Sequence, residues 1–173
     1  LFLAVKEIRP TNVQGEYYLT DTISILKSHR SPVLACRAGD STEVIGVNSR
    51  QDLAIAEKVL QRRTVKRLMK EGVTVVDPES TFIDPIVQIG QDTVVYPFSF
   101  LQGKTEVGRG CMLGPHAMVK DSKIGDGVTV RHADIFSSQV GNEANILHAV
   151  VEHAQIPAQG IVGPFQKVGG EHA

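Results

Sequence analysis

Ile89-Gly90-Gln91-Asp92-Thr93-Val94-Val95-Tyr96-Pro97-Phe98-Ser99-Phe100-Leu101 places an aliphatic side chain at every sixth position, and the beat continues through Val107, Leu113 and Val119. With shortened steps it runs on as Ile124, Val130, Phe136, Val140, Ile146, Val151, Ile156, Val162 and Val168. Helices repeat every 3.6 residues and half-buried strands every two, so neither explains a period of six. A six-residue unit with one inward aliphatic fits a parallel β-helix, in which each unit is one short strand and three units close a triangular coil. Residues four further on are small or short: Thr93, Ser99, Thr105, Cys111, Ala117 and Ala144. Corners with little internal room require such residues.

Grouping the units by coil assigns the faces. Ile89, Val107, Ile124, Val140 and Ile156 open the first face, and glycine follows four of the five: Gly90, Gly108, Gly125 and Gly141. Val95, Leu113, Val130, Ile146 and Val162 open the second, followed two residues on by Pro97, Pro115, His132, His148 and Pro164. About five coils are expected, above the roughly three repeats a solenoid needs to bury a continuous core.

Upstream, the chain changes character near Gly72. Residues 1–72 carry 12 Lys and Arg against 8 Asp and Glu; residues 73–173 carry 6 against 11. Glycine divides as 4 before the cut and 12 after it. Leu1 to Arg9 is apolar and basic and ends at Pro10. Residues 21–27 form a short amphipathic run after a possible cap at Thr20, and residues 33–36 read as a buried strand. From Ser49 the pattern is helical, with Ser49 as cap, Asp52 favoured in the first turn and Gly72 as terminator. Arg62, Arg63, Lys66, Arg67 and Lys70 share a flank of this helix. No aromatic residues interleave with them, so they read as a solvated face rather than a nucleic-acid surface.

The overall charge is −1 over 173 residues, with 42% hydrophobic and 21% charged residues, which argues against a disordered tail or a polyanion-wrapping protein. Apolar runs are far short of the roughly 20 residues a membrane helix needs, so no membrane partner is expected. No signal peptide is visible, and a first residue of Leu implies a piece of something longer. Cys36 and Cys111 lack metal or redox spacing and read as buried small apolar residues, which fits a cytoplasmic setting.

The ordered combination of Asn12-Val13-Gln14-Gly15-Glu16-Tyr17-Tyr18-Leu19-Thr20-Asp21, Gly46-Val47-Asn48-Ser49-Arg50, Gly72-Val73, Asp77-Pro78 and the hexapeptide coils resembles one family. It is the bifunctional N-acetylglucosamine-1-phosphate uridyltransferase/glucosamine-1-phosphate acetyltransferases. The resemblance covers almost the whole chain. It implies that residues 1–48 are a mixed α/β remnant of a Rossmann-like nucleotidyltransferase domain, 49–72 a connecting helix and 73–173 a left-handed β-helix that assembles as a homotrimer. The implied substrates are UTP and N-acetylglucosamine 1-phosphate, with Mg²⁺ as cofactor. Asn48 matches an asparagine that holds Mg²⁺ and substrate, an oxygen donor suited to a hard cation; as a lone residue it reads equally well as a helix cap. Tyr18 and Thr20 match the segment near the sugar, and Glu16 orients that loop.

The family's glycine-rich phosphate loop is absent from the sequence, and its acetyltransferase base histidine lies in coils beyond it, so no catalytic residue is assigned and the chain alone is expected not to turn over. One departure concerns the second activity. Where the family has G-P-F-A-R-L-R-P, this chain has Gly163-Pro164-Phe165-Gln166-Lys167-Val168-Gly169, with glycine at the position of an arginine of the acetyltransferase site. Two other readings remain: a hexapeptide acyltransferase of an amino sugar using acetyl-CoA, and a non-catalytic trimerisation module. His132 and His148 share a slot in adjacent coils and form either a metal or catalytic pair or a stack of surface side chains, whereas His116 and His153 are expected on other slots.

Overall fold

A computed structural model describes residues 1–170; the last three positions of the expected β-helix lie outside the described residues. The chain divides into two compact units, Leu1–Val44 and Ile45–Ala173.

The first unit contains α1 (Phe2–Glu7), α2 (Asp21–Ser28) and a single 3-10 turn, Ser41–Val44. Residues 33–36 are not a strand. They are irregular and exposed, Leu34 almost fully, and Cys36 is exposed with them. Four apolar residues form a strand only where another strand accepts their main-chain bonds, and the described residues of this unit include none.

In the second unit, α3 (Arg50–Lys70) starts at Ser49 in a capping box. The Ser49 hydroxyl accepts the Asp52 N–H, and the Asp52 carboxylate accepts the Ser49 N–H. It ends before Gly72, whose φ of +95° is the left-handed turn that favours glycine. The five basic residues of its flank are exposed, as expected. The second half of the helix seals the open end of the solenoid. Val65 and Leu68 join the aliphatic core, the Gln61 amide donates to the Thr81 and Pro78 carbonyls, and Arg67 donates to the Pro85 carbonyl.

Among the described residues seventeen short strands follow, all paired in parallel, on three faces of six, six and five strands. The solenoid therefore has about six turns on two faces, one more than the clock from Ile89 implies. The extra turn is contributed by Thr74–Val75 and Phe82–Ile83. Ile89, Val107, Ile124, Val140 and Ile156 stack in one register, and Val95, Leu113, Val130, Ile146 and Val162 in another, as the sequence predicts. The small residues at the corners, Thr93, Ser99, Thr105, Cys111, Ala117 and Ala144, are all buried. Burial pushes the Cys111 thiol up from its ordinary range.

On the remaining face the inward residue is Ile135, not Phe136. Ile135 pairs with Val119 and Val151 and is fully buried, while Phe136 points outward and is half-buried. The step from Val130 to Ile135 is one residue short, and in a strand a one-residue slip moves a side chain to the opposite face.

From Asp92 onward the corners of the coil turn through left-handed residues. One column contains Asp92, Gly110, Gly127, Glu143 and Gln159; a second, Phe98, His116, His132, His148 and Phe165; a third, Gly103, Asp121, Ser137 and His153.

Candidate functional site

The residues assigned by resemblance are held by local bonds. The Asn12 carboxamide spans its own loop, accepting the Glu16 N–H at 3.0 Å and donating to the Glu16 carbonyl. Gly15 makes the turn at φ +68°. The Glu16 carboxylate is left exposed, so Glu16 closes the loop through its main chain. Two residues on, the Tyr18 hydroxyl donates to the Gln14 side-chain oxygen at 2.8 Å. Thr20 starts α2, but its side chain makes no capping bond; its carbonyl accepts the Ile23 N–H. Asn12 and Gln14 are the loop's braces. Asn-x-x-Gly is a turn pattern, which is the sequence signal that marks them.

Asn48 lies in the other unit. Its N–H donates to the Asp52 carboxylate at 3.2 Å, beside the Ser49 N–H at 2.9 Å and hydroxyl at 2.8 Å. The Ser49 hydroxyl first, with the Asn48 N–H, holds the Asp52 carboxyl below the usual carboxylate range. The Asn48 carboxamide is exposed and presents one oxygen. Glu16, Tyr18 and Thr20 thus belong to one unit and Asn48 to the other. The Asp52 oxygen nearest Asn48 already accepts three hydrogen bonds, and among the described residues no three His, Cys, Asp or Glu side chains converge to hold a metal.

A second constellation runs along one corner of the solenoid. His132 and His148 stack with ring centroids 4.7 Å apart and planes 4° from parallel. The stack is longer than the expected pair, because His116 lies 5.3 Å from His132, Phe98 5.1 Å from His116 and Phe165 6.0 Å from His148. His116 is therefore not on another slot, although His153 is, in the third corner column. Prolines 97, 115 and 164 do not share the histidine slot; each precedes the ring of its coil. The reason is the missing corner residue, which disturbs any count made forward from the preceding aliphatic. Counted backward, Phe98, His116, His132, His148 and Phe165 each lie three residues before the next inward side chain. Adjacent coils bring these rings to about one strand spacing, and each stacked contact adds about 0.5–1.5 kcal/mol.

The helix-capped parallel solenoid built of hexapeptide coils defines a class of repeat protein. No family model matches. The curated protein "Bifunctional protein GlmU" of Caldanaerobacter subterraneus subsp. tengcongensis is 48% identical over 83% of this chain and 31% of that protein. The protein of the same name from Geobacillus sp. strain WCH70 is 46% identical over 84% and 32%, and that of Exiguobacterium sp. strain ATCC BAA-1283 / AT1b 43% identical over 98% and 37%. The chain spans about a third of the length of these relatives, and over that third it belongs with the bifunctional GlmU proteins. Among solved structures, a mutant of perosamine N-acetyltransferase from Caulobacter crescentus in complex with CoA and GDP-perosamine is 14% identical (TM-score 0.30), over 65% of this chain and 60% of that one. The acetyltransferase domain of PglB from Neisseria gonorrhoeae FA1090 in complex with acetyl coenzyme A is 11% identical (TM-score 0.33), over 58% and 60%. Among the described residues, no helix is long and apolar enough to cross a membrane.

Proposed function

We propose that this chain is the middle segment of a GlmU-type transferase, serving the reaction of UTP with N-acetylglucosamine 1-phosphate to give UDP-N-acetylglucosamine and pyrophosphate. The observation that carries this reading is the braced loop 12–20, followed by Asn48 at the head of α3, in the order and spacing of the family's sugar-side motifs. On this reading residues 1–48 are the end of a Rossmann-like domain. Glu16, Tyr18 and Thr20 border the sugar, and the free carboxamide of Asn48 is one oxygen donor to substrate and Mg²⁺. The remaining ligands come from parts of the relatives that this chain does not span.

The solenoid favours a second reading, an acyltransferase acting on an amino sugar with acetyl-CoA. Against it stands Gly169, where the family has arginine. Its φ is +78°, and a Cβ there would lie 1.9 Å from the Glu152 carbonyl oxygen, so no side chain fits without a main-chain shift. The wound coil is left-handed on this family reading and forms a homotrimer through its walls, where Phe82, Phe100, Met118, Asp134 and Val150 face outward in one row.

Two assays test the main reading. The 173-residue chain with Mg²⁺ is expected to make no UDP-N-acetylglucosamine; metal-dependent product would overturn its incompleteness. A chimera carrying this segment in the corresponding third of the Exiguobacterium protein is expected to be active as a uridyltransferase and to lose that activity with Asn48→Ala. An active Asn48→Ala chimera would remove Asn48 from the site. Light scattering is expected to give a trimer mass, and a monomer at high concentration would count against assembly through the solenoid.

A further inference from the structure

The basic flank of α3 has no part in the function proposed above, and its charges are not all accounted for. Arg62, Lys66 and Lys70 recur at every fourth residue, so they lie in one line along the helix. Like charges at that spacing destabilise a helix, so a line of three works against α3 itself. Arg62 is answered by the Glu79 carboxylate at 3.2 Å, and nearby Arg67 by Glu71 at 3.0 Å. The side chains of Lys66 and Lys70 make no ion pair or hydrogen bond among the described residues. The negative end of the helix favours Lys70, but that effect fades within the last turn, before Lys66. Beside the line runs an open trough of about 360 Å³, with Val65, Met69 and Pro78 as its apolar lining and Arg62, Lys66 and Lys70 as its charged rim.

We propose that this trough is a docking groove for an acidic amphipathic helix of a partner protein, whose apolar side chains lie on Val65, Met69 and Pro78 and whose carboxylates meet Lys66 and Lys70. Charge selects the sign of the partner. Two ammonium groups without counter-ions at the rim call for carboxylates, and an acidic helix laid there replaces repulsion along α3 with attraction across the groove. The lining selects an apolar stripe between those carboxylates. Met69 is 48% exposed, and its unbranched, polarizable side chain adapts to apolar groups of varied shape. Shape selects a helix over a small molecule, because pockets that enclose ligands run to about 300–1,000 Å³, and this one lies at the low end and is open along its length. A helix with apolar residues three and four apart presents the ridge that such a trough accepts. A bilayer takes apolar side chains that protrude, whereas Val65 is recessed behind the lysines at 3% exposure. Nucleic-acid bases would stack on aromatic rings, and none lines the trough.

The test is fluorescence anisotropy of the 173-residue chain with a labelled peptide about four helical turns long, carrying leucine at spacings of three and four and glutamate elsewhere. The expected result is saturable binding that weakens as salt is raised. A peptide of the same composition with its leucines scattered around the helix should bind about tenfold more weakly, and so should the Lys66→Glu and Lys70→Glu chains. Lys104→Glu, exposed on the solenoid, should bind as the parent chain does. Reversing Lys66 or Lys70 relieves the like-charge line, so both variants should melt no lower than the parent, which separates lost binding from lost fold. No saturable binding, equal binding of the scattered peptide, or binding that survives both charge reversals overturns the proposal. Phosphatidylglycerol vesicles that hold the chain through Lys66 and Lys70 while the peptide does not would also overturn it, and would assign the flank to a membrane surface.

Discussion

Residues 1–44 and the solenoid are built by opposite means. Among the described residues of the first unit only Ala4 and Thr22 are buried, and its form rests on bonds between near neighbours such as Asn12 with Glu16 and Tyr18 with Gln14. In the solenoid each inward side chain is repeated above and below, and Leu101, Leu113, Ile135 and Ile146 are sealed from water completely. A side chain in such a column is held by its own copies, so sequence period and burial report the same fact.

The sharpest way to break this contrast is to empty the column. Ile135→Ala is expected to cost about 2–5 kcal/mol in urea unfolding, because it leaves a cavity that the stacked coils cannot close. Phe136→Ala, one residue away but facing outward, should cost clearly less. In the first unit, Leu34→Ala should stay within about 0.5 kcal/mol, as exposed positions do. Equal losses at Ile135 and Phe136 would refute the register.

Glycines sharpen it next. A Cβ on Gly125 would lie 2.3 Å from the Asn142 side-chain oxygen and 2.7 Å from its main-chain nitrogen, whereas one on Gly39 would meet nothing within 4 Å. Gly125→Ala is therefore expected to lose about 1–3 kcal/mol as overpacking. Gly39→Ala should be close to neutral in the same measurement. A neutral Gly125→Ala would mean that the coils are further apart at this corner than the stacking implies.

The same contrast decides what could be read before any coordinates. Two faces of the solenoid, its small corner residues and both ends of α3 were legible, because each depends on a rule that repetition or a cap enforces locally. The third face slipped at Phe136, and the ring column was cut to two, for one cause: a corner shortened by a residue changes the count from one side only. Residues 33–36 and Cys36 misled because apolar composition describes a strand's side chains but supplies no partner for its main chain. The site residues were legible only as motif positions. Nothing in Glu16, Tyr18, Thr20 or Asn48 taken singly distinguishes a sugar contact from a turn or a cap.

The smallest effect falls where α3 begins, and it tests whether a local cap behaves differently from the column. Ser49→Ala removes the hydroxyl that accepts the Asp52 N–H and donates to its carboxylate, a loss of about 1 kcal/mol. That loss should appear as faster amide exchange in the first turn of α3 rather than as a collapse of the solenoid. The Asp52 carboxyl adds a pH signature. Its folded value lies below the ordinary 3.8, chiefly through the Ser49 hydroxyl, so the carboxylate's contribution is present above about pH 4 and is lost as pH falls through the depressed folded value. Asp77, lowered by the Ser80 hydroxyl at the start of the solenoid, has the same sign. Asp52→Asn should therefore flatten the acid limb of first-turn protection while leaving it intact at the solenoid core. If the acid limb is unchanged in that variant, the capping carboxylate contributes nothing to α3, and the helix is held by Val65, Leu68 and the bonds of Gln61 and Arg67 without it.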